Sequence, residues 1–87
     1  MTDAEFTLAD LRRVLCQVAG FVERLDGEIQ DVEFGELGYD SLALLETAAA
    51  VQRECGIRLD EAALADVRTP RDFLDLVNSQ LATTGSA

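Results

Sequence analysis

Leu8, Leu11, Leu15, Val18 and Val22 recur at helical spacing, so the first stretch of the chain reads as an amphipathic helix with Arg12 and Arg13 off its apolar face. Its start is marked by Thr7 and Asp10, a capping-box pair, with Phe6 and Leu11 placed for a hydrophobic staple. The helix is predicted to run to about Ala19 or Phe21, ending near Gly20. From Glu23 to Gly38 the periodicity disappears. Asp26-Gly27, Gly35 and Gly38 punctuate that segment as turns, while Ile29, Val32, Phe34 and Leu37 are spaced like anchors that tie a long loop onto a core.

A second helix is predicted from an Asp40 cap, with Ser41 at its first position and a staple between Tyr39 and Leu44, through Cys55 to a left-handed stop at Gly56. Leu44, Ala48, Val51 and Cys55 form its buried face. Leu42, Leu45 and Ala49 form a second apolar stripe, more than one core needs. Asp60 to Asp66 reads as a brief third helix around Ala62, Ala63 and Leu64. Thr69 then caps a last helix that opens on Pro70, has Asp72 in its first turn, buries Phe73, Leu74, Val77 and Leu81, and runs to about Ala82. The predicted fold is all-α: one four-helix bundle over about 6–82 with a long first loop, a short third helix and a flexible tail at 83–87.

The chain has 87 residues, a size at which folding removes only about 60–65% of the unfolded surface from water. Such a core leaves no room for a walled active-site cavity with its supporting shell. The net charge is −10, with seventeen acidic residues against seven basic ones, all arginine. A chain of that charge repels nucleic acid and anionic membrane surfaces and attracts basic proteins. Seven carboxylates and no arginine lie between Asp26 and Glu46, so a continuous negative field is expected around Ser41. No apolar run approaches bilayer length and the first residues lack the pattern of a signal peptide, so a soluble, cytoplasmic monomer is expected. Cys16 and Cys55 have no metal-ligand spacing and read as buried or half-buried free thiols.

Ser41 is the residue with the most chemistry. Catalysis by it would need a base within hydrogen-bond reach, and the chain has neither histidine nor lysine. The acid pairs Glu33/Glu36 and Asp60/Glu61 lie in exposed turn-like segments and read as solvated surface acids. An EF-hand register counted from Asp26 puts Asp31 where glycine is required and Leu37 where the bidentate glutamate belongs; one counted from Asp31 fails in the same way at Glu36 and Leu42. No metal site is expected. What remains is a hydroxyl at a helix start, where unpaired backbone N–H groups favour an attached phosphate.

The run Gly38-Tyr39-Asp40-Ser41-Leu42-Ala43-Leu44-Leu45-Glu46 resembles the prosthetic-group attachment motif of acyl carrier proteins, most closely those of bacterial aromatic (type II) polyketide synthases. The resemblance extends from about Phe6 to Leu81. It implies a covalent 4′-phosphopantetheine arm on Ser41, taken from coenzyme A, with Asp40 as helix cap and part of the motif. It also implies a docking face of Leu42, Leu45, Glu46 and Ala49. The implied partners are a phosphopantetheinyl transferase, a malonyl transferase, a ketosynthase heterodimer and a ketoreductase or cyclase. Alternative readings are a fatty-acid carrier, a stand-alone peptidyl carrier, or an unmodified acidic helical adaptor. The small residues Ala48, Val51, Ala62 and Ala63 suggest an interior that can part for cargo, with the third helix as the moving wall.

Overall fold

The computed structural model describes residues 5–19 and 28–85. It contains α1 (Leu8–Ala19), α2 (Ser41–Cys55), α3 (Glu61–Ala65) and α4 (Pro70–Gly85), with no strand among the described residues. The expected turns at Gly20 and Asp26-Gly27, and Val22, lie outside them.

Local signals account for most helix ends. The Thr7 amide donates to Asp10 Oδ2 at 3.0 Å, and the Asp10 amide donates back to Thr7 Oγ1 at 3.2 Å, completing the capping box. At the far end of α2, Gly56 adopts φ 69° and its N–H donates to the Gln52 carbonyl at 2.9 Å. Only glycine takes that left-handed conformation without strain. Thr69 and Asp72 repeat the box at α4, with the Asp72 amide 3.2 Å from Thr69 Oγ1 and Asp72 Oδ2 accepting from the Arg68 amide at 3.1 Å. Helix α4 runs three residues beyond the predicted Ala82, so residues 83–85 are helical rather than tail. No proline interrupts them, and a frayed last turn tolerates threonine.

The core joins α1, α2 and α4. Leu11, Val14, Leu15, Val51, Phe73 and Val77 are completely enclosed, and Ala48 nearly so. On α1 the buried centre is therefore Leu11, Val14 and Leu15, with Leu8 and Val18 half-buried at the edges of the stripe. Thr47 is also fully buried, which its polarity disguises in the sequence; its hydroxyl donates to the Ala43 carbonyl at 2.8 Å and so needs no water. Leu44 and Cys55 are only half-buried. Asn78 on α4 holds the chain ahead of α1 from both sides, accepting from the Phe6 amide at 2.7 Å and donating to the Phe6 carbonyl at 2.9 Å. Arg13 and Glu54 join α1 to α2 across 2.6 Å.

The long loop is anchored as its apolar spacing predicts, with Ile29, Phe34 and Leu37 buried and Val32 half-buried. It is also tied to the α3–α4 connection. The Phe34 amide donates to the Arg68 carbonyl at 2.8 Å and the Arg71 amide to the Gln30 carbonyl at 2.9 Å. The Arg71 guanidinium reaches Asp31 at 2.8 and 3.2 Å and holds that carboxyl below its ordinary pKa. Two arginines distant in sequence thus enter the acidic region, and the negative field expected there is interrupted. The third helix also differs from expectation: Leu64 is its buried residue and Ala63 is half-buried, while Ala62 faces solvent. Five residues make little more than one turn, so only one position can point fully inward.

Asp10 tests the capping of α1. The backbone N–H of Thr7 is the main cause holding its carboxyl below the ordinary pKa. A depressed carboxyl contributes stability that is present above its unfolded value and is lost as pH falls through the folded one. Asp10→Ala should therefore cost roughly 0.5–1 kcal/mol at pH 7 in urea denaturation, and the gap to the parent should narrow below about pH 4. A gap independent of pH would show that the charged cap is not responsible.

Candidate functional site

Asp40 leaves the helical region at φ −89°, ψ −176°, and its side chain accepts from the Ala43 amide at 2.9 Å. This cap fixes where α2 begins and so places Ser41 at its first position, exposed to solvent. Leu42 and Leu45 follow on the same outer surface at 63% and 48% exposure, the only large apolar side chains so open among the described residues. Glu46 beside them is exposed, whereas Ala49 is half-buried and lies toward the edge of the patch.

An open groove of about 660 Å³ begins at Ser41. One wall is α2, through Leu44 and Leu45; the opposite wall is α3 and the turn after it, through Leu64, Ala65 and Val67; the loop closes one side with Phe34 and Tyr39. The interior expected from Ala48, Val51, Ala62 and Ala63 is not where space opens. Ala48 and Val51 are packed into the α1/α2/α4 core, and Ala62 points away from it. The groove carries charge at its rim, from Glu33, Asp40, Glu61 and Arg68. The groove walls after α3 escape the sequence pattern, because Val67 and Arg68 come to Ser41 only through the loop's tie to Arg68.

Tyr39 is enclosed to 4% exposure, edge-on to Phe34 at 6.4 Å, and Phe34 is in turn edge-on to Phe73 at 6.3 Å. These are favourable aromatic geometries. The Tyr39 hydroxyl has no hydrogen-bond partner among the described residues, and burial, helped by the Cys16 thiol, pushes its pKa up. Cys16 and Cys55 are both free and half-buried, as expected; burial first, then Glu54 and Asp10, pushes the Cys55 thiol up, which keeps it protonated and unreactive. No group of side chains able to hold a metal is found among the described residues, nor is any helix there long and apolar enough to cross a membrane.

An exposed hydroxyl at a helix start, open to a groove, is placed to accept a group. Residues 9–77 match the family described as the phosphopantetheine attachment site. The chain is 51% identical over 83 residues to the monensin polyketide synthase acyl carrier protein of Streptomyces virginiae, covering 94% of each. The chain belongs to the acyl carrier proteins of type II polyketide synthases. It is also 44% identical over 78 residues to the actinorhodin polyketide synthase acyl carrier protein of Streptomyces coelicolor, covering 87% of this chain and 91% of that one. Its fold superimposes with a TM-score of 0.83 on the solution structure of the 3-oxo-butyl form of the actinorhodin carrier, an intermediate mimic, at 40% identity over 94% of this chain and 98% of that one. The protein is thus a carrier of phosphopantetheine-bound intermediates, not a catalyst and not an unmodified adaptor.

The unpartnered Tyr39 hydroxyl gives the carrier an unusual expected response to mutation. An unsatisfied buried polar group costs folding free energy, so Tyr39→Phe should leave stability within about 0.5 kcal/mol of the parent or raise it. Denaturant unfolding checks this, and a loss above about 1 kcal/mol would mean that the hydroxyl has an internal partner.

Proposed function

We propose that Ser41 is the residue that bears the arm, and that the exposed start of α2 is the surface on which the synthase's other enzymes dock. The observation that carries this reading is the conjunction at one point of an exposed serine, an Asp40-capped helix N-terminus and an open groove. The residues fit the group: the helix start favours the phosphodiester, and the groove can take the adjoining segment. When bound, 4′-phosphopantetheine supplies a thiol that holds acyl chains as thioesters. The protein's residues do the rest. Asp40 fixes the helix start so that the Ser41 hydroxyl stands clear of the backbone, Leu42 and Leu45 offer apolar contact, and Glu46 with Glu33 and Glu36 attracts basic partners. Ala49, half-buried, extends this face only at its edge.

Partners of the matching chemistry are a phosphopantetheinyl transferase, a malonyl transferase, a ketosynthase heterodimer and a ketoreductase or cyclase, met in the cytoplasm. Tethering replaces diffusion of dilute intermediates by a high effective concentration at each enzyme. Fatty-acid and peptidyl carriers would use the same serine; the relatives favour polyketide intermediates.

Intact-mass analysis after incubation with coenzyme A and a broad transferase tests the assignment. The parent should gain one phosphopantetheine group and Ser41→Ala none, while Glu46→Arg should be loaded more slowly with its fold unchanged. A modified Ser41→Ala protein would place the arm elsewhere, and an Glu46→Arg rate equal to the parent's would remove the steering role.

A further inference from the structure

The rim of the groove beside Ser41 holds one cation, Arg68, among three carboxylates, those of Glu33, Asp40 and Glu61. Arg13 and Arg71 are each committed to a carboxylate, at 2.6 and 2.8 Å. Among the described residues the Arg68 guanidinium makes no ion pair despite its acidic surroundings. Its backbone is nonetheless held firmly: the Arg68 carbonyl accepts from the Phe34 amide at 2.8 Å and its amide donates to Asp72 at 3.1 Å. The residue's origin is therefore fixed at the groove while its charged end is left free.

An arm on Ser41 brings a phosphodiester, a permanent anion, into this place. The surrounding carboxylates repel it, and the helix start compensates only partly. A guanidinium presents a planar fork that matches two phosphate oxygens, which an ammonium cannot do. We infer that Arg68 is a positioning residue for the arm: it pairs with the phosphodiester on Ser41 and lays the first segment of the arm along the groove between α2 and α3. The inference rests on the assignment of Ser41. It makes Arg68 a determinant of where the arm points, and leaves attachment itself to Ser41.

The site is exposed to water, so the pair contributes modestly and is sensitive to salt. The test compares thermal melting of the parent, Arg68→Gln and Arg68→Lys, each before and after loading from coenzyme A, with loading verified by intact mass. At about 10 mM salt, loading should depress the melting temperature of Arg68→Gln by roughly 2–4 °C more than that of the parent. Arg68→Lys should fall between, and the difference should vanish near 1 M salt, where the Debye length is about 3 Å. On the parent alone, the side-chain Nε–H signal of Arg68 should shift and exchange more slowly once the arm is attached. Equal melting changes in parent and Arg68→Gln, or an Arg68 signal unmoved by loading, would overturn the pairing while leaving Ser41 as the attachment point. A parent that fails to load would overturn the Ser41 assignment and the pairing with it.

Discussion

The ring of Phe34 ties the functional end of this carrier to its core. It meets Tyr39 edge-on from one side and Phe73 of α4 from another, and its backbone is bonded as well: the amide to Arg68, the carbonyl to the amides of Leu37 and Tyr39. Tyr39 directly precedes the Asp40 cap. The position of Ser41 therefore depends on a chain of contacts running from α4 through Phe34 to the start of α2. Phe34 acts together with the buried Ile29 and Leu37 and the Arg71–Asp31 pair in holding the described part of the loop to the core.

That arrangement separates two requirements. Stability comes from the α1, α2 and α4 contacts around Leu11, Leu15, Val51, Phe73 and Val77, none of which needs to face a partner. The proposed presenting surface is the loop, the first turns of α2 and the short α3, where apolar Leu42 and Leu45 remain exposed and charge is concentrated. Helix α3 has one buried residue, Leu64, and its Asp60 cap makes no side-chain hydrogen bond. It is the wall with least to lose by moving. Small size and an exposed hydroxyl at a helix start fit a molecule whose task is delivery.

What is local in the chain could be read from the sequence. The Thr7/Asp10 box, the Asp40 cap, the Gly56 stop and the Thr69-Pro70-Asp72 start each depend on residues a turn apart, and each is formed. The Ser41 motif is equally compact, and the serine stands exposed at the start of α2 as its Asp40 cap implies. What depends on how the helices are rotated against one another was not legible. Val14 and Thr47 belong to the core, Ala62 does not, and the groove opens at Leu64, Ala65 and Val67. The longest ties were hidden for the same reason: Asn78 with Phe6, and Arg71 with Asp31, join residues that no periodicity connects. The negative field inferred from the run between Asp26 and Glu46 overlooked the two arginines that the fold returns to it.

Native-state amide hydrogen exchange tests the central role of Phe34 most directly. If this residue ties the loop to the core, the amides of Phe34 and Tyr39 should be protected almost as strongly as that of Val77 within α4, although they lie outside any helix. Exchange of both at the rate of an open peptide, with Val77 still protected, would show that the loop is not held by this anchor and that Ser41 is placed by α2 alone.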